Sequence, residues 1–212
     1  SVACLEQYCE VVFQLSRQLE KLQPNDFISQ LEEPLNRAEL EITRIKIKKE
    51  VVFLPYKASM WDSLESVYLA AREDEDCDAY VVPIPYFDKN PDGSFGEMHY
   101  EGGEYPPNIE ITHYEDYRLE ERRPDTIYIH NPYDNWNYVT SVPERYFSSN
   151  LKKYTEQLVY IPYFVLQEMK PEEQDKIDSV KHFFFLPGIL FADKVIVQSE
   201  DMRQIYINEF IK

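Results

Sequence analysis

The stretch "IHNPYDNWNYVTS" is the most polar and aromatic in the chain. A histidine titrates near neutrality, so His130 could take a proton from a hydroxyl, with Asp134 fixing its tautomer. Asn131 and Tyr133 follow directly, and Tyr133, Trp136 and Tyr138 could form a stacking wall for a ligand or pack as core aromatics. The alternative for His130 and Asn131 is a turn held by side-chain-to-backbone bonds before Pro132. In "PYKASMWD", Ser59 and Asp62 have capping-box spacing, and Lys57 stands beside that helix start, where an anionic group could bind with help from the helix dipole.

"YFDKNPDGSFGEMHYEGGEYP" offers a third constellation. Asp88, Asn90 and Asp92 before Gly93 match the first half of an EF-hand loop, but the twelfth position is His99 rather than Glu, and Pro91 interrupts the loop. A hairpin fits better, with Asn90-Pro91-Asp92-Gly93 as a type I turn and Gly93 at its left-handed position. Tyr86, Asp88 and His99 would then lie on a flap that contacts substrate, and Tyr163 closes the set after "LVYIP". No metal and no cofactor are expected. A GxGxxG, a GxxxxGK[ST] and a GxSxG are all missing, and four of the five glycines lie between 93 and 103.

The positions of these residues depend on the elements around them. Leu5, Tyr8, Val12, Leu15, Leu19 and Leu22 repeat at heptad spacing, predicting a helix that docks on its own protein in preference to self-association. Residues 25–46 read as further helix, capped by Asn25 or Asp26 and broken at Pro34. From residue 50, short apolar runs at 51–54, 79–84, 109–111, 126–129, 158–161 and 194–198 alternate with helical patterns at 60–73, 164–182 and 200–211. That alternation predicts an α/β fold, a Rossmann-like doubly wound, mostly parallel sheet over 48–212 with an N-terminal helical segment over 1–47. A flavodoxin-like order is the other arrangement. In either, ligands lie beyond the carboxyl ends of the strands, where the candidates above fall.

The 212 residues suffice for a sizeable core, at 43% hydrophobic and 15% aromatic content. A formal charge of −17 excludes the basic stripe that a nucleic-acid partner requires. No apolar run reaches the ~20 residues of a bilayer span, and Cys4, Cys9 and Cys77 form neither a disulfide framework nor a zinc pattern, so a cytoplasmic protein is expected. A start at Ser1 and a stop within "QSEDMRQIYINEFIK" read as a fragment of a longer protein.

"LPGILFADKVIVQSEDMRQIYINEF" resembles the close of the N-terminal half of two-domain GT-B glycosyltransferases. The run from "KKEVVFLPYKASMWDSLESVYLAA" through "VVPIPYFDKNPDGSFGEMHYEG" and "IHNPYDNWNYVTSV" to "LVYIPYF" is similar to chains related to bacterial CDP-glycerol glycerophosphotransferases. The resemblance spans about residues 48–212. It implies the acceptor-side domain of an enzyme that moves glycerol phosphate, or a sugar, from a nucleotide-linked donor to a hydroxyl acceptor in cell-envelope polymers such as teichoic acid. It also implies a cytoplasmic location, peripheral at the inner face of the membrane, with the donor site mostly in a second domain. The family's His-Gly-x-Pro-x-Lys motif is matched here only by His130-Asn131-Pro132. The alternatives are a non-catalytic Rossmann-like module that binds or senses a sugar or polyol, and a scaffold that pairs through its heptad helix.

Overall fold

A computed structural model of the chain describes residues 2–18 and 24–211, in two compact units, Ser1–Ile47 and Lys48–Lys212. The first unit is a pair of helices, α1 (Val2–Ser16) and α2 (Pro24–Thr43), with Leu15 and Ala38 buried. Of the heptad positions, Leu5 and Val12 are exposed, and Leu19 and Leu22 lie outside the described residues. The expected break at Pro34 does not occur, because α2 continues through it. A proline removes one i→i−4 bond and crowds one carbonyl, and strong helix formers around it (Leu31, Glu32, Glu33, Leu35, Arg37, Ala38) carry the helix across. Pro24 opens the described helix, where a missing N–H costs nothing, and Asn25 and Asp26 fall in its first turn rather than before it.

The second unit runs β1 (Lys49–Leu54), α3 (Asp62–Glu73), β2 (Cys77–Val81), β3 (Tyr86–Lys89), β4 (Phe95–His99), α4 (Leu119–Arg122), β5 (Thr126–Ile129), β6 (Thr140–Ser141), α5 (Ser148–Leu151), β7 (Gln157–Tyr160), α6 (Gln174–Val180), α7 (Pro187–Phe191), β8 (Lys194–Val195) and α8 (Glu200–Ile211). Five strands form an all-parallel sheet in the order β2-β1-β5-β7-β8. This is a doubly wound, Rossmann-like α/β arrangement with the 2-1-3-4-5 order of flavodoxin-like sheets. Alternate residues of β1 serve opposite faces. Val52 and Leu54 join Ile127, Leu158, Leu151 and Ile189 in one core, while Val51 and Phe53 join Leu64, Tyr68 and Trp61 of the α3 side in another. Burial on both faces explains why the central strands read as unbroken apolar runs.

Several expected elements shrink. Residues 109–111 supply only one bridge, Ile111 to Val81, and β2 ends at Val81, although the N–H groups of Val82 and Ile84 still donate to Phe53 and Pro55. Pro83 and Pro85 have no N–H to continue the ladder. The helix expected over 164–182 is confined to α6, followed by a 3₁₀ segment over Lys181–Phe185. At the sheet edge β8 keeps two residues, a length that gives little template for foreign strands. The hairpin forms as expected around Asn90 and Gly93, whose φ is +82°. Through Phe87 and Asp88, β3 also pairs with β6, giving a second, antiparallel sheet, β4-β3-β6. Among the described residues, no helix is long and apolar enough to cross a membrane.

The first turn of α7 sits against the chain leaving β5. The Gly188 N–H donates to the Pro132 carbonyl at 2.8 Å, and a Cβ at 188 would stand 2.6 Å from the Pro132 Cα. Backbone cannot yield as a side chain can, so Gly188→Ala is expected to cost about 1–3 kcal/mol. A thermal melt checks this, and an unchanged Tm would contradict the close approach.

Candidate functional site

In this topology the chain turns one way from β1 to β2 and the other way from β5 to β7, so the crevice for ligands opens between the carboxyl ends of β1 and β5. The two exits are Pro55–Lys57 and His130–Tyr133, and His130 fills the space between them with no solvent exposure. The Tyr56 N–H donates to His130 Nε2 at 3.1 Å. An amide N–H can only donate, so Nε2 is the bare nitrogen and Nδ1 carries the proton. Nδ1 lies 3.1 Å from Ser63 Oγ and 3.3 Å from the Met60 carbonyl, and Ser63 Oγ itself donates to Met60 at 2.8 Å. Burial lowers the His130 pKa to about 4. The imidazole is a neutral pin across the switch point, and acting as a base would require breaking an internal bond.

Asp134, expected to orient His130, is elsewhere. Its carboxylate accepts the Ser148 N–H on both oxygens at 3.0 Å and the Ser148 hydroxyl at 2.7 Å, anchoring the first turn of α5. Its own backbone is left-handed, at φ 49°. Burial raises its pKa to about 6 against the pull of the Ser148 bonds. The proposed acid–base pair is thus two separate anchors, one for the β1 exit and one for α5. Asn131 Oδ1 accepts the Tyr133 N–H at 3.2 Å, holding the turn locally.

Lys57 does not head an open anion site. Ser59 and Asp62 form no capping box, since the residues at the cap positions, Lys57 before the 3₁₀ turn Ala58–Met60 and Trp61 before α3, make no side-chain cap bond. Instead Glu101 reaches in: its Oε2 accepts the Ala58 N–H at 2.7 Å and its Oε1 accepts the Tyr86 hydroxyl at 2.7 Å. Lys57 Nζ lies over the Tyr86 ring, 4.8 Å from its centre, and 5.6 Å from that of Tyr56. A carboxylate of the chain holds the place a phosphate would take. Next to it the Tyr163 ring packs beside those of Tyr56 and His130, with ring centres 6.3 and 5.7 Å away.

The antiparallel sheet rims this edge. On it the half-match to a calcium loop does not converge, because Asp92 is consumed by the Ser94 N–H and hydroxyl and Asn90 donates to Ser94. Asp88 instead meets His99, Oδ2 to Nε2 at 2.9 Å, and the His99 ring stacks on Tyr86. Trp136 and Tyr138 are not core residues. They are 57% and 95% exposed, and with Lys89, Asn90, Pro91 and Asn135 they line an open cavity of about 650 Å³ between the hairpin turn and the loop after β5. The Lys89 ammonium donates to the Asn135 carbonyl, and its N–H donates to Val139 at 2.8 Å, tying the two walls together.

Compared with family models, curated proteins and solved structures, the chain matches none. The strand exits are legible in the sequence, whereas the roles of Glu101, Ser63 and Ser148 are not. Serines and glutamates in such stretches are common, and only the tertiary placement gives these three their partners.

The two buried anchors respond oppositely to acid. His130 titrates at about 4 in the fold against about 6.5 unfolded, so the unfolded state binds more protons in that window and stability falls on acidification. Asp134 titrates at about 6 in the fold against 3.8, so the folded state binds more protons and stability rises on acidification. Each effect is on the order of 3 kcal/mol and they nearly offset. Relative to the parent chain, Asp134→Asn should lose stability from pH 6 to pH 4 and His130→Gln should gain it, as read by urea unfolding. Parallel pH profiles for all three proteins would contradict the assignment.

Proposed function

We propose that residues 48–211 bind an uncharged, hydroxyl-rich small molecule, a sugar or polyol, at the rim of the sheet's carboxyl edge, as the acceptor-side half of a transferase using a nucleotide-linked donor. The observation that carries this reading is the cavity with Trp136 and Tyr138 standing exposed beside Asn90 and Asn135. Large aromatics exposed together are unusual on a surface with no partner. Their faces accept the C–H side of a sugar while amides take its hydroxyls.

Charge argues for a neutral ligand. Lys89, the cation among the lining residues, already has its ammonium on a carbonyl oxygen, and the chain carries −17 overall. Phosphoryl transfer requires a positioned hydroxyl, a proton acceptor and a clamp for phosphate charge. On this reading the domain contributes the first, and the clamp and the base belong to the donor-binding domain. The transferase part of the proposal rests on the resemblance to CDP-glycerol glycerophosphotransferases. A sensing module for the same class of ligand is the second reading, favoured by the enclosed state of His130.

Of the two tryptophans, Trp61 is buried and Trp136 is exposed, so ligand-dependent quenching reports on Trp136. Titration with glycerol, glycerol phosphate and a panel of monosaccharides should give saturable quenching with one class, and Trp136→Ala should weaken that binding about tenfold when read by calorimetry. In the full-length gene product, the same variant should raise the KM for acceptor in CMP release from CDP-glycerol with kcat little changed. Binding without donor turnover supports the sensor; no binding by any member overturns the reading.

A further inference from the structure

On the β3–β4 hairpin, Tyr86 faces His99 and Phe87 faces Met98, and the pairing shifts between Phe87 and Lys89. Side chains two apart on a strand share a face, so Asp88 lies on the side of Tyr86, with Glu97 and His99 across from it. Gly96 keeps the irregular turn of the ladder close, since a Cβ there would stand 3.2 Å from the Asp88 carbonyl oxygen. A bulge re-aims a side chain, and here it brings Asp88 to the other two. One ligating atom from each of Asp88, Glu97 and His99 lies within 4.8 Å of the others.

We propose that Asp88, Glu97 and His99 form a binding site for a first-row divalent cation of the zinc type. The donor set is one imidazole and two carboxylates, which suits zinc and its neighbours and not calcium, a cation that takes oxygen ligands alone and more of them. Zinc bonds of ~2.0–2.2 Å place neighbouring donors ~3.3 Å apart around a tetrahedron. His99 Nε2 and Asp88 Oδ2 are already 2.9 Å apart, and exposed Glu97 closes the third corner by a side-chain rotation. His99 is held for this by stacking on Tyr86, with ring centres 5.0 Å apart and planes at 24°. Three protein ligands leave a fourth position to water or to a ligand hydroxyl. The same face leads through Tyr86 to Glu101 and Lys57 at the β1 exit. The proposal stands independently of the sugar reading.

Cobalt titration followed by visible absorbance, with zinc competition and calorimetry, tests it on the chain as it is. The expected result is a single saturable equivalent with the absorption of low-coordinate cobalt, displaced by zinc and not by calcium. His99→Gln and Asp88→Asn should each weaken uptake about tenfold or more while keeping the parent circular dichroism. His113→Gln, outside the cluster, should leave uptake unchanged. Failure of cobalt and zinc to bind saturably, or full uptake by both cluster variants, would overturn the proposal.

Discussion

The structure of this edge turns on one imidazole. Parallel sheets with a reversal in strand order open at the reversal, and that opening has to be lined by something. Here His130 occupies it, accepting an N–H from the β1 exit and placing its protonated nitrogen against Ser63 and Met60. Tyr56 and Met60 lie between β1 and α3 and Ser63 in the first turn of α3, so a single side chain sets the position of the Tyr56–Lys57 turn and the start of α3. Burying a charged ring there would cost far more than these bonds return, which is why the ring is held neutral.

With the crevice closed, polar chemistry moves outward. Glu101 spans the Ala58 N–H and the Tyr86 hydroxyl, which ties the hairpin region to the β1 exit and puts negative charge where a nucleotide phosphate would otherwise be welcomed. Tyr86 thereby links three layers: Lys57 over its face, Glu101 on its hydroxyl and His99 stacked against it. Beyond it lie the open aromatic cavity of Trp136 and Tyr138 and the Asp88–Glu97–His99 cluster. Neutral hydroxyl groups and a metal cation are both compatible with such surroundings; a bare polyphosphate is not.

Legibility followed the range of the interaction. The apolar runs of β1, β5 and β7 are local signals produced by burial on both faces, and the turn Asn90–Gly93 is encoded by its own four residues. Ile109 and Ile111 are β-branched like the strand residues but form only one bridge, Ile111 to Val81, a fact that no local window contains. Likewise, the strand-exit rule placed His130 correctly, while its bonding was invisible because Tyr56 and Ser63 lie 74 and 67 positions away. Asp134 sits four residues after His130 and looked like its partner, yet a left-handed backbone turns it toward Ser148. Trp136 and Tyr138 were readable as aromatics, but the choice between wall and core required their exposure.

The most direct measurement is the nitrogen NMR spectrum of the His130 ring across a pH titration of the folded chain. A pinned imidazole gives a bare Nε2 and a protonated Nδ1, unchanged down to about pH 4. A ring that titrates near neutrality, or carries its proton on Nε2, would mean that the crevice is open and would return His130 to the role of a working base.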